Sequence, residues 1–479
     1  MTLNDPIDSA IKAVPGRVAL IDGDRRITFG EVGHAIASAA RVLAERGVGA
    51  GDRVALAAGA GLAGIATVLG CARLGAASAP MSTQLTAREV SALARTAGCG
   101  RVCVASGEAS AAMREAVGEP ILAEELFGWG IEARPLELHE VAGDDVAVVL
   151  FTGGTTGTPK PVPLSHGTLE LRVRSFAPPV DPAASAAVSI ICVPFHHVAG
   201  LIGVLVGLAG GNTTVVQHRF GAREWLKLVE DHRVQRAFLV PTMLHRILEY
   251  PARAGADLSS LQMITYGAAP AAPDLIERAV KVFPKVAFVN VFGQTETLGA
   301  VTALSPDDHR AGRAGSVGKA MPGVDVRIVD PATGHDVPDG EVGEFWVRAP
   351  YTATEGWVRS GDLVRRDSDG YLYAAGRLSD LINRGGEKID PVEVEAVLRS
   401  HPAIEDAAVC GVPDAEMGER VGAVIVARGS LDDGAIRAWC RERLAPYKVP
   451  ERIAFVGALP LTELGKVSRL RLRSLLQKA

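Results

Sequence analysis

The order of apolar runs is the feature that most constrains how this chain can fold. Short runs rich in Val and Ile alternate with Ala- and Leu-rich segments of helical period up to about residue 320 of 479, and the clearest runs are 18–21, 54–56, 146–151, 237–240 and 286–292. Such runs are typical of parallel strands that are buried on both faces. We therefore predict an α/β protein whose large N-terminal domain has mostly parallel sheets flanked by helices.

The sequence pattern changes after about residue 320. Short alternating strands are separated there by Gly, Asp and Pro, and the segments 363–366 and 371–376 flank a turn at 367–370. This pattern predicts a small antiparallel β region, because polar turn residues between alternating runs are typical of hairpins.

The last hundred residues predict a separate small domain. A helix is expected to begin at the proline that follows Asp390. A strand at 407–412 and a second helix near 434–444 are expected to follow it. This mixture indicates an α+β domain. We place the boundary after residue 376, which gives an N-terminal domain of residues 1–376 and a C-terminal domain of residues 377–479.

Charge and cysteine content exclude several classes of protein. Lys plus Arg total 50 and Asp plus Glu total 55, so the net charge is −5 and a nucleic-acid partner is not expected. The six cysteines form no CxxC pair, and the N-terminus lacks the basic and apolar segments of a signal peptide. The uncharged stretch 54–72 is mostly Ala and Gly, so we expect a buried strand and helix and no transmembrane segment. A cytoplasmic location is predicted.

One loop carries the strongest local signal for phosphate binding. The segment 151–160, FTGGTTGTPK, places glycines and threonine hydroxyls directly after a predicted buried strand. Backbone N–H groups and hydroxyls in such a loop can surround phosphate oxygens. The candidate phosphate-binding residues are Thr152, Gly153, Gly154, Thr155, Thr156, Gly157 and Lys160. The loop is not a Walker A motif, because Lys160 follows Gly157 by three residues and Pro161 stands where a Ser or Thr would bind magnesium. A flexible surface loop is the alternative.

Seven motifs in a fixed order resemble those of the adenylate-forming superfamily, which includes acyl-CoA synthetases. They are FTGGTTGTPK at 151–160, PFHHVAGL at 194–201, YGAAP at 266–270, FGQTET at 292–297, SGDL at 360–363, a long motif at 373–395, and LPLTELGKVSR at 459–469. The resemblance implies an acid–thiol ligase that uses ATP, Mg²⁺ and coenzyme A and forms an acyl-AMP intermediate with release of pyrophosphate.

Several site residues follow from this resemblance. Glu296 matches a magnesium-binding carboxylate, and Thr295 matches a hydroxyl that contacts phosphate. Asp362 matches the acid that accepts hydrogen bonds from the ribose hydroxyls, and Arg377 matches its partner. The wall around adenine is matched by Phe292, Gly267, Ala268 and Ala269, for which core packing is the alternative.

The resemblance also implies that the C-terminal domain is mobile. Lys466 matches a lysine that bridges the substrate carboxylate and the α-phosphate during adenylation. Rotation of the domain would then withdraw Lys466 and bring in Gly385 and Gly386, beside which a narrow pantetheine arm could pass. A strand turn that needs positive φ angles is the alternative for these glycines.

His197 in PFHHVAGL matches a residue beside the acyl pocket that can gate the thiol, and it is a candidate catalytic residue. If this segment is a strand, His196 should point the other way. Relatives that activate amino acids place an Asp near this position, so a His disfavours amino acids. The same pocket is expected to be lined by Met243, Tyr266 and Val291, with core packing as the alternative, and such an apolar pocket would suit a fatty or aryl acid.

Three hypotheses remain open at this point. The first is ligation of a carboxylic acid to coenzyme A, the second is transfer of the acyl group to an acyl-carrier protein, and the third is a non-catalytic sensor of acyl or nucleotide ligands. Departures from the family pattern in the phosphate loop, at Gly153 and Pro161, motivate the last two, and the short segment 346–357 also motivates the second. Ser379 departs from the family pattern at the expected hinge. The identity of the acid and the oligomeric state are left open by the sequence.

Overall fold

The structure is a computed structural model that describes residues 1–100, 102–127, 140–152, 159–462 and 466–478. It divides into two compact units. The first comprises Met1–Asp325 and Arg348–Val358, and the second comprises Val326–Val347 and Arg359–Ala479. The boundary expected after residue 376 lies within the second unit and stays a prediction.

Eleven helices and fifteen strands of the described residues belong to the first unit. The helices are α1 (Asn4–Ala13), α2 (Phe29–Glu45), α3 (Leu62–Arg73), α4 (Ala87–Ala97), α5 (Ala109–Val117), α6 (His166–Phe176), α7 (Val198–Ala209), α8 (Ala222–Asp231), α9 (Pro241–Glu249), α10 (Pro273–Val282) and α11 (Pro306–Arg310). The strands are β1 (Val18–Asp22), β2 (Arg25–Thr28), β3 (Arg53–Ala57), β4 (Ala77–Pro80), β5 (Cys103–Ala105), β6 (Ile121–Leu122), β7 (Val146–Thr152), β8 (Lys160–Ser165), β9 (Val188–Ile191), β10 (Thr213–Val216), β11 (Arg236–Leu239), β12 (Met263–Gly267), β13 (Ala287–Gln294), β14 (Gly299–Leu304) and β15 (Lys319–Ala320).

These strands form two large sheets. The nine-stranded sheet has the order β15-β14-β13-β12-β11-β9-β10-β1-β2, in which β1 and β9 to β13 pair in parallel and β2, β14 and β15 add antiparallel edges. The six-stranded sheet has the order β6-β5-β3-β4-β7-β8, and only β8 is antiparallel to its neighbour. The predicted α/β class with mostly parallel sheets is confirmed.

Local sequence explains how several of these helices begin. Thr28 and Glu31 satisfy each other's backbone N–H groups at the start of α2, and Thr86 and Glu89 do the same for α4. The uncharged stretch 54–72 lies mainly in β3 and α3, whose apolar side chains are buried as expected. None of the described helices is long and apolar enough to cross a membrane.

The second unit contains the short strands expected after residue 320. Its strands are β16 (Asp325–Val329), β17 (Val342–Arg348), β18 (Val358–Arg366), β19 (Leu372–Arg377), β20 (Ile382–Arg384), β21 (Glu387–Ile389), β22 (Ile404–Asp414), β23 (Gly418–Ala427) and β24 (Arg452–Phe455). Its helices are α12 (Pro391–Arg399), α13 (Asp433–Arg441) and α14 (Arg469–Leu476). The strands form a sheet of order β16-β17-β18-β19, and a second sheet of order β21-β20-β23-β22 in which β24 pairs with β23. The antiparallel β region and the C-terminal α+β arrangement are therefore confirmed.

Candidate active site

The predicted phosphate loop connects two antiparallel neighbours in the six-stranded sheet. Thr152 ends β7, Lys160 begins β8, and the two residues face each other across the pair. Lys160 is exposed and Thr152 is half-buried. The residues between them that were assigned to phosphate binding lie outside the described residues: Gly153, Gly154, Thr155, Thr156 and Gly157.

Glu296 lies in a turn that is stabilised by hydrogen bonds of the Thr297 hydroxyl to neighbouring backbone groups. β13 ends at Gln294, and the residues Thr295–Thr297 form one 3₁₀ turn. Gln294 donates its N–H to Thr297 Oγ1 at 3.0 Å, and that hydroxyl lies 2.7 Å from the carbonyl oxygen of Gly299, to which it donates. Thr295 and Glu296 are half-buried, and the turn packs against β7. The fold therefore brings the turn with Glu296 close to the strand that carries Thr152.

The candidate adenine wall lies at the carboxyl ends of β12 and β13, which is where parallel sheets usually bind ligands. Gly267 pairs with Val291 across these strands, and a Cβ at Gly267 would lie 2.1 Å from the carbonyl oxygen of Val291. Only glycine therefore allows the two strands to approach here. Ala268 has a φ of +65°, and Ala268, Ala269 and Phe292 are partly exposed.

His196 and His197 lie in a turn before α7, so the condition under which they would point in opposite directions, a strand, is not met. Their ring centroids are 4.2 Å apart, and both residues are half-buried. The turn is tight because the N–H of His197 donates to the carbonyl oxygen of Pro194 at 3.1 Å. A Cβ at Gly200 would lie only 2.2 Å from the same oxygen. The close approach of α7 to Pro194 thus keeps this turn compact, although His197 itself has extended backbone angles, with φ at −105° and ψ at 150°.

Asp362 and Arg377 form an ion pair in the second unit. They are register partners on β18 and β19, and Arg377 Nε donates to Asp362 Oδ1 at 2.7 Å. The N–H of Asp362 also donates to Ser360 Oγ at 3.0 Å. Burial raises the pKa of the Asp362 carboxyl, while the charges of Arg377 and Lys466 act in the opposite direction. Asp362, Arg377 and Lys466 therefore lie close enough in the second unit for both cations to act on the Asp362 carboxylate.

The backbone around Lys466 is bonded to the segment that ends at Thr462. The N–H of Thr462 donates to the carbonyl oxygen of Lys466 at 2.7 Å, and Leu461 pairs with Val467 in an antiparallel bridge. These contacts hold the backbone of Lys466 against the segment at 461–462, three residues before α14 begins at Arg469.

Gly385 and Gly386 form the turn between β20 and β21. Their φ angles are +58° and +94°, so these glycines do form the strand turn with positive φ angles that was the alternative to a role beside the thiol arm. The N–H of Gly385 donates to the carbonyl oxygen of Met417 at 2.8 Å, and a Cβ at Gly385 would lie 2.7 Å from Met417 Cε. The positive φ angle therefore favours glycine at 385, and a larger residue would also have to displace the end of the flexible Met417 side chain. The passage of a thiol arm beside them stays a prediction.

Sequence reasoning missed two residues that support these groups. Ser360 was part of the SGDL motif, and its position two residues before Asp362 was the available signal for the bond described above. Arg172 has no such signal, because it is one of two arginines on a helix of mixed composition, and only the fold shows that it is 1% exposed.

Comparison with protein families assigns most of the chain. The description "AMP-binding enzyme" belongs to a family model that matches residues 7–357. The model of the "AMP-binding enzyme C-terminal domain" matches residues 393–466.

Individual relatives are similar over nearly the whole length. A feruloyl-CoA synthase from Amycolatopsis sp. is 35% identical, with 96% of both chains covered. A fatty acid–[acyl-carrier-protein] ligase from Streptomyces coeruleorubidus is 29% identical over 96% of this chain and 93% of that protein. The solved structure of o-succinylbenzoate CoA synthetase from Bacillus subtilis with its acyl-adenylate intermediate has a TM-score of 0.84 at 28% identity, and covers 99% of this chain and 98% of that one. The same enzyme with ATP and a magnesium ion gives a TM-score of 0.83 at 28% identity, with 99% of both chains covered.

Proposed function

Because the chain belongs to the AMP-binding enzyme family, we propose that it ligates a carboxylic acid to coenzyme A through an acyl-AMP intermediate. The carboxylate attacks the α-phosphorus of ATP, the bond to the β-phosphate oxygen breaks, and pyrophosphate leaves. The thiolate of coenzyme A then attacks the acyl carbon and AMP leaves. The reactants are thus ATP with Mg²⁺, the acid and coenzyme A.

The arrangement around Asp362 carries this proposal. A buried carboxylate that is held by Arg377 in a fixed register suits recognition of two vicinal hydroxyls, as in a ribose. The charge of Lys466 acts on the same carboxylate, so a lysine ammonium lies where it could serve a nucleotide phosphate. Adenine is assigned to Phe292, Gly267, Ala268 and Ala269, and the phosphates to residues 152–157 and Lys160.

The residues also fit a magnesium ion that is shared with substrate phosphates. No group of three or more His, Cys, Asp or Glu side chains in the described parts of the chain is placed to hold a metal. A magnesium ion in such enzymes needs one or two carboxylates, and phosphate oxygens and water supply its other ligands. The half-buried Glu296 would provide that carboxylate, and the metal would stabilise charge on the phosphates.

For the acid we favour an aryl carboxylic acid over a fatty acid. The relative with 35% identity is named a feruloyl-CoA synthase, and the solved neighbour is named for an aryl acid, o-succinylbenzoate. The half-buried pair His196 and His197 offers aromatic surface and no carboxylate for a substrate ammonium. His197 is assigned to the acyl pocket and to gating of the thiol.

An acyl-carrier protein is the second candidate acceptor, because one relative is named a fatty acid–[acyl-carrier-protein] ligase. Coenzyme A is favoured because the relative with the higher identity is named a CoA synthase. A reducing, cytoplasmic compartment is proposed with it, since all six cysteines are free.

Pyrophosphate release from ATP and Mg²⁺ tests the proposal. The purified chain is supplied with cinnamic-type, benzoic, short, medium and long-chain acids, each with and without coenzyme A. We expect sustained release with aryl acids only when coenzyme A is present, together with formation of AMP and the acyl-CoA. Adenylation that stops after one turnover in the presence of coenzyme A would indicate that a carrier protein, and not coenzyme A, accepts the acyl group. Absence of release with every acid would overturn the ligase and favour a sensor.

A further inference from the structure

Arg172 is a buried arginine that has been assigned no role in binding ATP, the acid or coenzyme A. It lies on α6, the helix that directly follows β8 and so follows the phosphate-loop hairpin. Only 1% of its surface is exposed, although arginines are rarely buried to this degree. A side chain with this cost of burial must be held by specific partners.

Two backbone carbonyls on one short segment are those partners. Arg172 Nε donates to the carbonyl oxygen of Leu298 at 2.9 Å, and Nη2 donates to the carbonyl oxygen of Ala300. Leu298 and Gly299 have φ angles of +48° and +90°. The left-handed conformation is unfavourable for leucine, so these bonds hold a segment that would otherwise relax. The segment begins two residues after Glu296.

Arg172 also connects this segment to a second support of the same turn. Its guanidinium carbon lies 4.3 Å from the ring centroids of both Phe176 and Tyr351. Two residues after Tyr351, the N–H of Ala353 donates to the carbonyl oxygen of Glu296 at 2.9 Å. The residues 348–358 belong to the same compact unit as Glu296. The turn is thus supported on its C-terminal side and at Glu296 itself, and both supports meet at Arg172.

We propose that Arg172 is a positioning residue that fixes the turn of Glu296 relative to the helix after the phosphate loop. This inference rests on the proposed function, which assigns magnesium to Glu296. Arg172 does not itself contact the nucleotide: its planar fork spans two carbonyls, and its stacking on Tyr351 holds the segment that bonds to Glu296. A lysine keeps the charge but cannot span both carbonyls.

The test compares Arg172→Met, Arg172→Lys and the control Arg174→Gln with the unchanged chain. Arg174 lies on the same helix and pairs with Glu170, which is 1% exposed, so its loss destabilises α6 without removing a contact to the turn. Three quantities are measured: Tm, amide hydrogen exchange of peptides covering 295–301 and 349–355, and the Mg²⁺ concentration that half-activates acid-dependent pyrophosphate exchange.

Arg172→Met is expected to speed exchange in both peptides and to raise the half-activating Mg²⁺ concentration by roughly 10- to 100-fold, the usual effect of removing a support behind a metal ligand. Arg172→Lys should be intermediate, and Arg174→Gln should lower Tm while leaving the other two quantities unchanged. If Arg172→Met does not fold, hydrogen exchange and the half-activating Mg²⁺ concentration of Arg172→Lys alone test the proposal.

Normal exchange in both peptides and an unchanged Mg²⁺ requirement in either Arg172 variant would overturn the proposal. So would an equal change in Arg174→Gln, because Arg172 would then act on stability only. If the unchanged chain exchanges no pyrophosphate with any acid, the proposed function fails, but hydrogen exchange still tests the positioning of the turn.

Discussion

At the scale of single residues, Asp362 shows how a polar group is kept in a buried position. Its side chain is 9% exposed, whereas that of its partner Arg377 is 47% exposed. Burial raises the pKa of Asp362, and the neighbouring cations offset part of this effect. The ion pair of Asp362 and Arg377 therefore adds little to the free energy of unfolding, and its position is better explained by ligand recognition.

Asp362→Asn separates these two roles. We expect kcat/KM for ATP to fall by roughly 10- to 100-fold, because hydrogen bonds to a charged acceptor are worth about 1.5–3 kcal/mol. Stability should change by about 1 kcal/mol or less, since water can solvate the half-exposed Arg377. Steady-state kinetics and thermal unfolding are the measurements. Asp339→Asn is the matched control, because Asp339 pairs with Arg366 at 2.6 Å on the surface of the same unit. Loss of stability in proportion to the loss of activity would contradict the assignment.

At the scale of elements, parallel strands collect residues from distant parts of the chain at one edge of a sheet. β1 ends at Asp22, and His218 follows the neighbouring strand β10. His218 Nε2 lies 2.8 Å from Asp22 Oδ1. The hydrogen bond to Asp22 raises the pKa of His218, and burial opposes the shift. The charges of Asp22 and Glu224 raise the pKa further.

This pair makes stability depend on pH. A histidine whose pKa is raised on folding adds stability that is complete below its unfolded pKa of about 6.5. That stability is lost as the pH rises through the folded pKa. The Tm of the unchanged chain should therefore exceed that of Asp22→Asn most clearly below about pH 6.5, and the difference should shrink towards pH 8.5. Thermal unfolding across this range is the measurement, with Asp24→Asn in the same turn as control. A difference that does not vary with pH would contradict the expected linkage.

At the scale of the whole molecule, the proposed catalytic groups are divided between two compact units. Glu296 belongs to the first, and Lys466 belongs to the second, where its carbonyl oxygen accepts from the N–H of Thr462. The family resemblance implies two orientations of the C-terminal domain, one for each half-reaction. Lys466 belongs to the adenylation step in this scheme.

Lys466→Ala should therefore affect the two half-reactions unequally. Pyrophosphate release is expected to fall by about 100-fold or more, because the bridging charge on the α-phosphate is lost. Formation of acyl-CoA from supplied acyl-adenylate should stay within about twofold of the unchanged chain. The exposed Lys478 offers the control Lys478→Ala. Equal loss in both half-reactions would overturn the assignment of Lys466.

The sequence by itself determined the elements and their order. Runs of Val and Ile predicted β7 and β13, and the polar turn at 367–370 predicted the hairpin of β18 and β19, because periodicity and turn chemistry depend on near neighbours in the chain. Motifs in a fixed order predicted the family and the candidate residues, some of which the fold places on strands, such as Asp362 and Arg377, and others in turns, such as Glu296.

Only the tertiary structure decided which side chains are buried, which face each other and which backbone angles are forced. Arg172 is buried because a segment 126 residues away offers its carbonyls. The positive φ angle of Ala268 likewise follows no local signal. These features depend on contacts between distant residues, and such contacts exist only once the sheets have assembled.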